Sequence, residues 1–164
     1  MIEHIPFEVD VTIDHAVASG GNLPARLESF RDLALGMFIH WSCDSALGIE
    51  ISHPMVGASE RIIRQYEEEL GPRFNPRRFD PEDYASLAED AGMKYFCFTA
   101  KHHAGYCMFD TATTPFNVMN SRYGRDVVRE FVKCFRRYHL AVGLYFSPFD
   151  FHWLWKNGIP LRFN

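Results

Sequence analysis

No run of apolar residues in this chain approaches the ~18 needed to cross a bilayer as a helix, so no membrane span is expected. Positive charge is not in excess either: 17 Lys and Arg stand against 21 Asp and Glu, a formal net charge of −4. That balance provides no basic field for nucleic acid or an acidic membrane surface, and neither is expected as a partner. Met1 to Asp14 alternates acidic and apolar residues and lacks a basic leader and an apolar core, so no signal peptide is visible. Cysteine is sparse. Cys43, Cys97, Cys107 and Cys134 form no Cys-x-x-Cys pair, and Cys97 and Cys134 fall inside predicted elements, the usual setting of a buried free thiol. A reducing compartment, hence a cytoplasmic location, is the expectation. Internal repeats and low-complexity stretches are also missing, and 164 residues suffice for one domain.

Aromatic residues, by contrast, are plentiful: 15 Phe, 7 Tyr and 3 Trp fit a large core and also a surface that stacks on sugar rings. Three short, continuously apolar runs read as buried parallel strands: 34–41, 93–101 and 141–147. Helices are predicted between them. Ser59 to Leu70 has helical spacing and is ended by Gly71-Pro72. Asp80-Pro81-Glu82-Asp83 opens a second helix, with Asp80 as N-cap, Pro81 in the first turn and Gly92 as terminator. Arg125 to Tyr138 is amphipathic, with Val127, Val128, Phe131, Val132 and Phe135 on one side. Upstream, Phe7 to Ile13 suggests a short edge strand and Pro24 to Asp32 a short helix. Residues 104–123 form a long loop, rich in aromatics and Thr, expected to be ordered and functional. Strand, helix, strand, helix, strand is a parallel α/β order.

Polar and aromatic groups follow every strand: His40 and Trp41; Lys101, His102 and His103; Tyr145, Ser147, Asp150 and His152. Sites in α/β folds sit at the C-terminal ends of the strands, so these three clusters are expected to share one face. Two chemistries fit them. Several histidines plus Asp150 can ligate a metal. Adjacent strand residues point to opposite faces, however, so His102 and His103 enter one pocket only if the backbone turns at Lys101. The second chemistry is carbohydrate binding. Trp41, Tyr106, Phe109 and Trp153 are the candidate stacking faces, and the histidines, Lys101 and Glu50 the candidate hydroxyl partners. Phe96 and Phe98 are read as packing only.

Five segments in order bring a resemblance. They are 36–41 (GMFIHW), 79–84 (FDPEDY) running into 91–95 (AGMKY), 99–103 (TAKHH) followed by Gly105-Tyr106, 124–128 (GRDVV) and 143–147 (GLYFS). Over roughly residues 27 to 155 the chain resembles the α-L-fucosidases of glycoside hydrolase family 29. The resemblance implies a (β/α)8 catalytic barrel hydrolysing α-L-fucosides with retention. A barrel of eight units needs about 250 residues, so about three βα units are expected here. Residues 1–26 would be an N-terminal extension and 27–164 the first part of the barrel. By the same resemblance His40, His102, His103, Tyr145 and Glu50 are substrate-binding, and the partner is a fucosylated glycan or small α-L-fucoside. No cofactor or metal is implied. Ala104 stands where the family commonly has Asp, Phe109 where it has Trp, and the stacking Trp after the first strand is absent. Asp44, Asp110 and Asp150 do not match the nucleophile, so the nucleophile and general acid are expected beyond Asn164. The isolated chain is then expected to be inactive. Two other readings stay open: a catalytically inactive fucose-binding homologue and a metal-dependent barrel hydrolase.

Overall fold

The computed structural model describes residues 23–49 and 51–161, which leaves the expected strand at Phe7 to Ile13, and Glu50, outside the described residues. Two compact units are present, residues 1–34 and 35–164. In the first, α1 (Pro24–Leu33) begins with Pro24 in its first turn, where the missing N–H costs nothing.

The second unit runs β1 (Gly36–Ile39), a 3₁₀ turn (Cys43–Leu47), α2 (Glu60–Gln65), a π-turn (Tyr66–Leu70), α3 (Gly71–Arg73), α4 (Pro81–Asp90), β2 (Tyr95–Lys101), α5 (Val127–Arg137), β3 (Ala141–Phe146) and α6 (Phe151–Lys156). The strands form one parallel sheet in the order β1-β2-β3. The three predicted strands and the parallel α/β order are therefore present. Among the described residues β1 and β3 each pair only with β2.

Local chemistry explains the helix starts. Asp80 accepts the Glu82 N–H at 2.9 Å and Asp126 accepts the Arg129 N–H at 2.7 Å, each satisfying a donor that the first turn leaves orphaned. Gly71-Pro72 does not stop the helix as predicted. Helical backbone continues through both to Arg73, with Pro72 in the first turn of α3; Gly71 is buried where a side chain does not fit, since a Cβ there would lie 2.9 Å from the Phe116 ring. Its carbonyl accepts the Tyr106 hydroxyl at 3.2 Å. The segment after Pro148, read from sequence as an aromatic cluster, is helix α6, capped by Asp150 accepting the Trp153 N–H at 2.8 Å.

Strand alternation sends Phe96 and Phe98 to the helical side of the sheet, where both are fully buried. There α5 supplies Phe131, whose ring lies 4.8–4.9 Å from those of Phe79, Phe96 and Phe98, and Phe135, which stacks on Phe96 at 3.8 Å. An ion pair between Arg137 and Glu82 joins α5 to α4. The long loop is an ordered brace. Its Cys107 bridges β2 at Lys101 and pairs with Asn117, and Met108 N–H reaches the Ala100 carbonyl at 2.9 Å.

Truncating the ring at the centre of this core should be costly. Phe131→Ala is expected to lower unfolding free energy by about 3–5 kcal/mol, the range for buried Phe→Ala. Leu87→Ala, on an exposed position of α4, should stay within about 0.5 kcal/mol. Urea titration of both variants checks the difference.

Candidate functional site

The C-terminal end of β2 departs from regular strand. Thr99 pairs with Tyr145 but Lys101 with Phe146, so Ala100 is an extra residue bulged out of register. The backbone thus turns one residue before the predicted place, and the two histidines leave the strand end together. Lys101 is buried and anchored: its Nζ donates to the carbonyls of Ser147 at 2.8 Å and Phe149 at 3.1 Å, sits 3.5 Å from Asp150 Oδ2, and lies over the Phe146 ring. It therefore holds the turn after β3 and is not a hydroxyl partner, which corrects the sequence-based expectation. Asp150 is committed to that pair and to the α6 cap. Gly105, at φ 84°, lets the loop approach it closely, since a Cβ there would sit 2.4 Å from Asp150 Oδ1.

At the end of β1, the Trp41 N–H donates to Thr99 Oγ1 at 3.1 Å, fixing the position of His40 relative to β2. Three rings from three strand ends then meet: His40 and His102 have centroids 5.6 Å apart, His40 and Tyr145 6.1 Å, and Tyr145 stacks on His102 at 4.9 Å. His103 stands edge-on to His102 at 4.5 Å. A cleft of about 420 Å³ opens beside them, lined by His40, Trp41, Asp44, Ser45, Ile49, Ile51, Ser52 and His102. Apolar and hydroxyl-binding groups both line it, and among the described residues no lysine or arginine does.

Of the other sequence candidates, Trp41 edges the cleft but packs mainly against Phe74 and Phe79 on the helical side, with centroids at 5.4 and 5.0 Å. Tyr106 is buried with its hydroxyl on Gly71, Phe109 lies 6.4 Å from Phe146, and Trp153 is exposed on α6. His152 is buried 4.4 Å from Phe116 and 3.6 Å from Glu67, away from the histidine cluster's lining. Among the described residues no three His, Cys, Asp or Glu side chains converge as a metal set.

Sequence reasoning passed over Ser52 and His53. The Ser52 carbonyl lies 3.1 Å from His103 Nδ1 and its hydroxyl 2.6 Å from His53 Nδ1, while the His53 and His103 rings are 4.8 Å apart. Nothing in a Ser-His-Pro loop signals this; 51 residues separate Ser52 from His103. Asp44 is also more than a loop residue. The Ser42 hydroxyl donates to its Oδ2, and its Oδ1 and the Tyr66 hydroxyl are both buried. Burial pushes the Asp44 carboxyl up, against the lowering effect of Ser42.

An α-L-fucosidase family model matches residues 17–158. The chain belongs to the α-L-fucosidase family. Tissue α-L-fucosidase of Rattus norvegicus is 33% identical over 152 residues, covering 81% of this chain and 33% of the relative; that of Homo sapiens is 35% identical over 155 residues, covering 81% and 33%. Among solved structures, α-L-fucosidase isoenzyme 1 from Paenibacillus thiaminolyticus superposes with a TM-score of 0.68 at 39% identity, over 77% of this chain and 30% of that one. The α-L-fucosidase AlfC from Lactobacillus casei, solved in complex with α-L-fucose product, gives 0.67 at 30% identity, over 77% and 41%. The chain thus spans about a third of the length of the curated relatives it matches.

The electrostatics of this fucosidase-family site carry a pH signature. Burial holds the His103 imidazole below its ordinary 6.5, partly offset by the Ser52 carbonyl. The unfolded chain therefore binds that proton first, and stability is expected to fall as pH drops from about 6.5 to the lowered folded midpoint. His152, lowered by its own burial, acts in the same direction. His103→Gln should remove part of the slope, and NMR titration of the ring Cε1–H should give a midpoint below 6.5.

Proposed function

We propose that this chain forms the fucose-binding first part of a (β/α)8 barrel in a retaining α-L-fucoside hydrolase. The observation that carries the reading is the convergence of His40, His102 and Tyr145 at the ends of three adjacent parallel strands, beside one cleft. A hexose is neutral, with apolar C–H faces and polar rims. Among the described residues the cleft offers imidazoles, two serines and two isoleucines, with one acid and no lysine or arginine, which suits a hexose better than a charged ligand. His103 extends the ring cluster as a hydroxyl partner, and Glu50, by family resemblance, is proposed as another. Family membership supports the substrate class, and AlfC was solved with α-L-fucose. The barrel is supported by the parallel order and by the two strands that pair on one side only, with Phe38, Leu144 and Phe146 left exposed on them.

Retention requires a nucleophilic carboxylate and a carboxylic acid roughly 5–5.5 Å apart across the glycosidic bond. The described carboxyls nearest the histidines are otherwise engaged: Asp150 by Lys101 and the α6 cap, Asp44 by Ser42. The histidines and Tyr145 accordingly bind and orient the sugar, and these two carboxyls do not serve as a pair of that kind. The four cysteines are free thiols, which suits the cytoplasmic compartment we propose.

His40→Ala and His102→Ala should each weaken α-L-fucose binding, by about 0.5–1.5 kcal/mol for a lost neutral hydrogen bond. Calorimetric titration reads the affinity and circular dichroism the fold; unchanged affinity in both variants would return these histidines to a structural role. The 164-residue chain by itself is expected to release no chromophore from an aryl α-L-fucoside. Turnover would place the nucleophile within these residues, with Asp150→Asn and Asp44→Asn the variants to identify it.

A further inference from the structure

A second groove, of about 530 Å³, shares a wall with the cleft. Trp41, Asn75, Arg77, Arg78, Phe79 and Tyr84 line it, and because Trp41 also lines the cleft, one indole separates the two. The groove is built on a tight turn between α3 and α4. Phe79 N–H donates to the Pro76 carbonyl at 3.1 Å, which leaves Arg77 and Arg78 as the two central residues. Both ends of this stretch are pinned. Tyr123 N–H donates to the Phe74 carbonyl at 3.0 Å, and the Phe79 ring packs 5.0 Å from Trp41 and 4.9 Å from Phe131. Arg77 and Arg78 are exposed, and among the described residues neither has an ion-pair partner. The charges around them are committed elsewhere: Arg73 pairs with Glu69 at 3.2 Å, Glu82 pairs with Arg137, and Asp80 caps α4. Among the described residues no carboxylate lines the groove.

We propose that this groove is a subsite for an anionic group, a carboxylate or a sulfate, carried by the sugar linked to the fucose. The subsite presupposes the fucose-binding reading above and names a substrate class within it, acidic fucosylated glycans. A guanidinium presents paired N–H donors that fit two oxygens of a carboxylate or sulfate. Two guanidiniums without a counter-charge favour an anion in the groove, whereas the cleft, with no lysine or arginine among its described lining, suits the neutral fucose. Trp41 and Tyr84 offer the sugar that carries the charge an apolar face, and the Asn75 amide offers its hydroxyls a partner. An indole is close in width to one pyranose ring, so a group one sugar removed from fucose in the cleft reaches the groove. One pair of cations in a chain of net charge −4 takes a single anionic group rather than a polyanion. The pinned turn holds both arginines on a fixed backbone, which lowers the ordering cost of binding.

Calorimetric titration of the chain with matched disaccharides tests this. The probes are α-L-fucosyl glucose, α-L-fucosyl glucuronic acid and α-L-fucosyl glucose bearing one sulfate, each in every linkage isomer. In at least one linkage an anionic probe should bind about three- to tenfold more tightly than its neutral counterpart at low salt, and the advantage should shrink at high salt. Arg77→Gln/Arg78→Gln should abolish that advantage with the circular dichroism spectrum unchanged. Arg61→Gln/Arg136→Gln, an equal loss of charge at exposed positions outside the groove, should keep it. A gain with either anion supports the proposal and names the group. Equal affinity for charged and neutral probes in every linkage would overturn it, as would a gain that survives Arg77→Gln/Arg78→Gln. Inorganic sulfate that binds in the groove while the anionic disaccharides gain nothing also overturns it, since the groove then serves a free anion unconnected to fucose. If the neutral disaccharides bind and charge adds nothing, the fucose-binding reading stands and only the subsite falls. If no fucosyl probe binds, the fucose-binding reading fails and takes the subsite with it.

Discussion

A single buried ammonium group holds the strand ends in place. Lys101 is 6% exposed, at the end of the central strand, and its Nζ is surrounded by two carbonyls, a carboxylate and an aromatic face. Removing a cation from water costs several kcal/mol, so such a group persists only where its donors are satisfied. The acceptors all come from the turn after β3 and the start of α6. One side chain therefore ties the end of β2 to the end of β3. The bulge at Ala100 and the close approach of Gly105 to Asp150 both serve that geometry. His102 and His103, the next two residues, inherit their positions from it.

The site built on this anchor is a cluster of rings. His102, His40 and Tyr145 are held by ring contacts, and His103 by a backbone carbonyl and by burial that disfavours its charged form. Among the described residues Asp44 is the one acid lining the cleft. It is turned into the protein, with Ser42 on one oxygen and Tyr66 beside it, so it braces the loop from β1 to the 3₁₀ turn.

Much of the framework was legible in the residues because it rests on local rules. Asp80 is the N-cap expected of it, while Asp126, expected inside a helix beginning at Arg125, caps α5 instead. The apolar runs were strands because runs that short, bounded by glycine, proline and polar residues, suit a parallel sheet; only the expectation that all three are buried fails, since Phe38 on β1 and Leu144 and Phe146 on β3 are exposed. Local rules failed where a neighbour distant in sequence overruled them. Gly71-Pro72 lies in a continuing helix, packed under Phe116 and Tyr106, and the aromatic segment after Asp150 is helical because Asp150 caps it while Lys101 holds that cap.

By itself the sequence determined the three strands and the helices between them, the Asp80 cap, and the presence of histidines at the strand ends, since each follows from periodicity and side-chain chemistry within a few residues. The ordered motifs also identified the family. Only the tertiary structure decided which of those groups serve the cleft. Lys101, Tyr106 and Asp150 are polar residues in the right stretch, yet they are committed to carbonyls and caps inside the protein. Ser52 and His53 look like ordinary loop residues, yet they meet His103 across 51 residues. Hydrogen-bond partners are fixed by spatial neighbours, and a carbonyl or ammonium group carries no mark in the sequence of the partner the fold will bring to it.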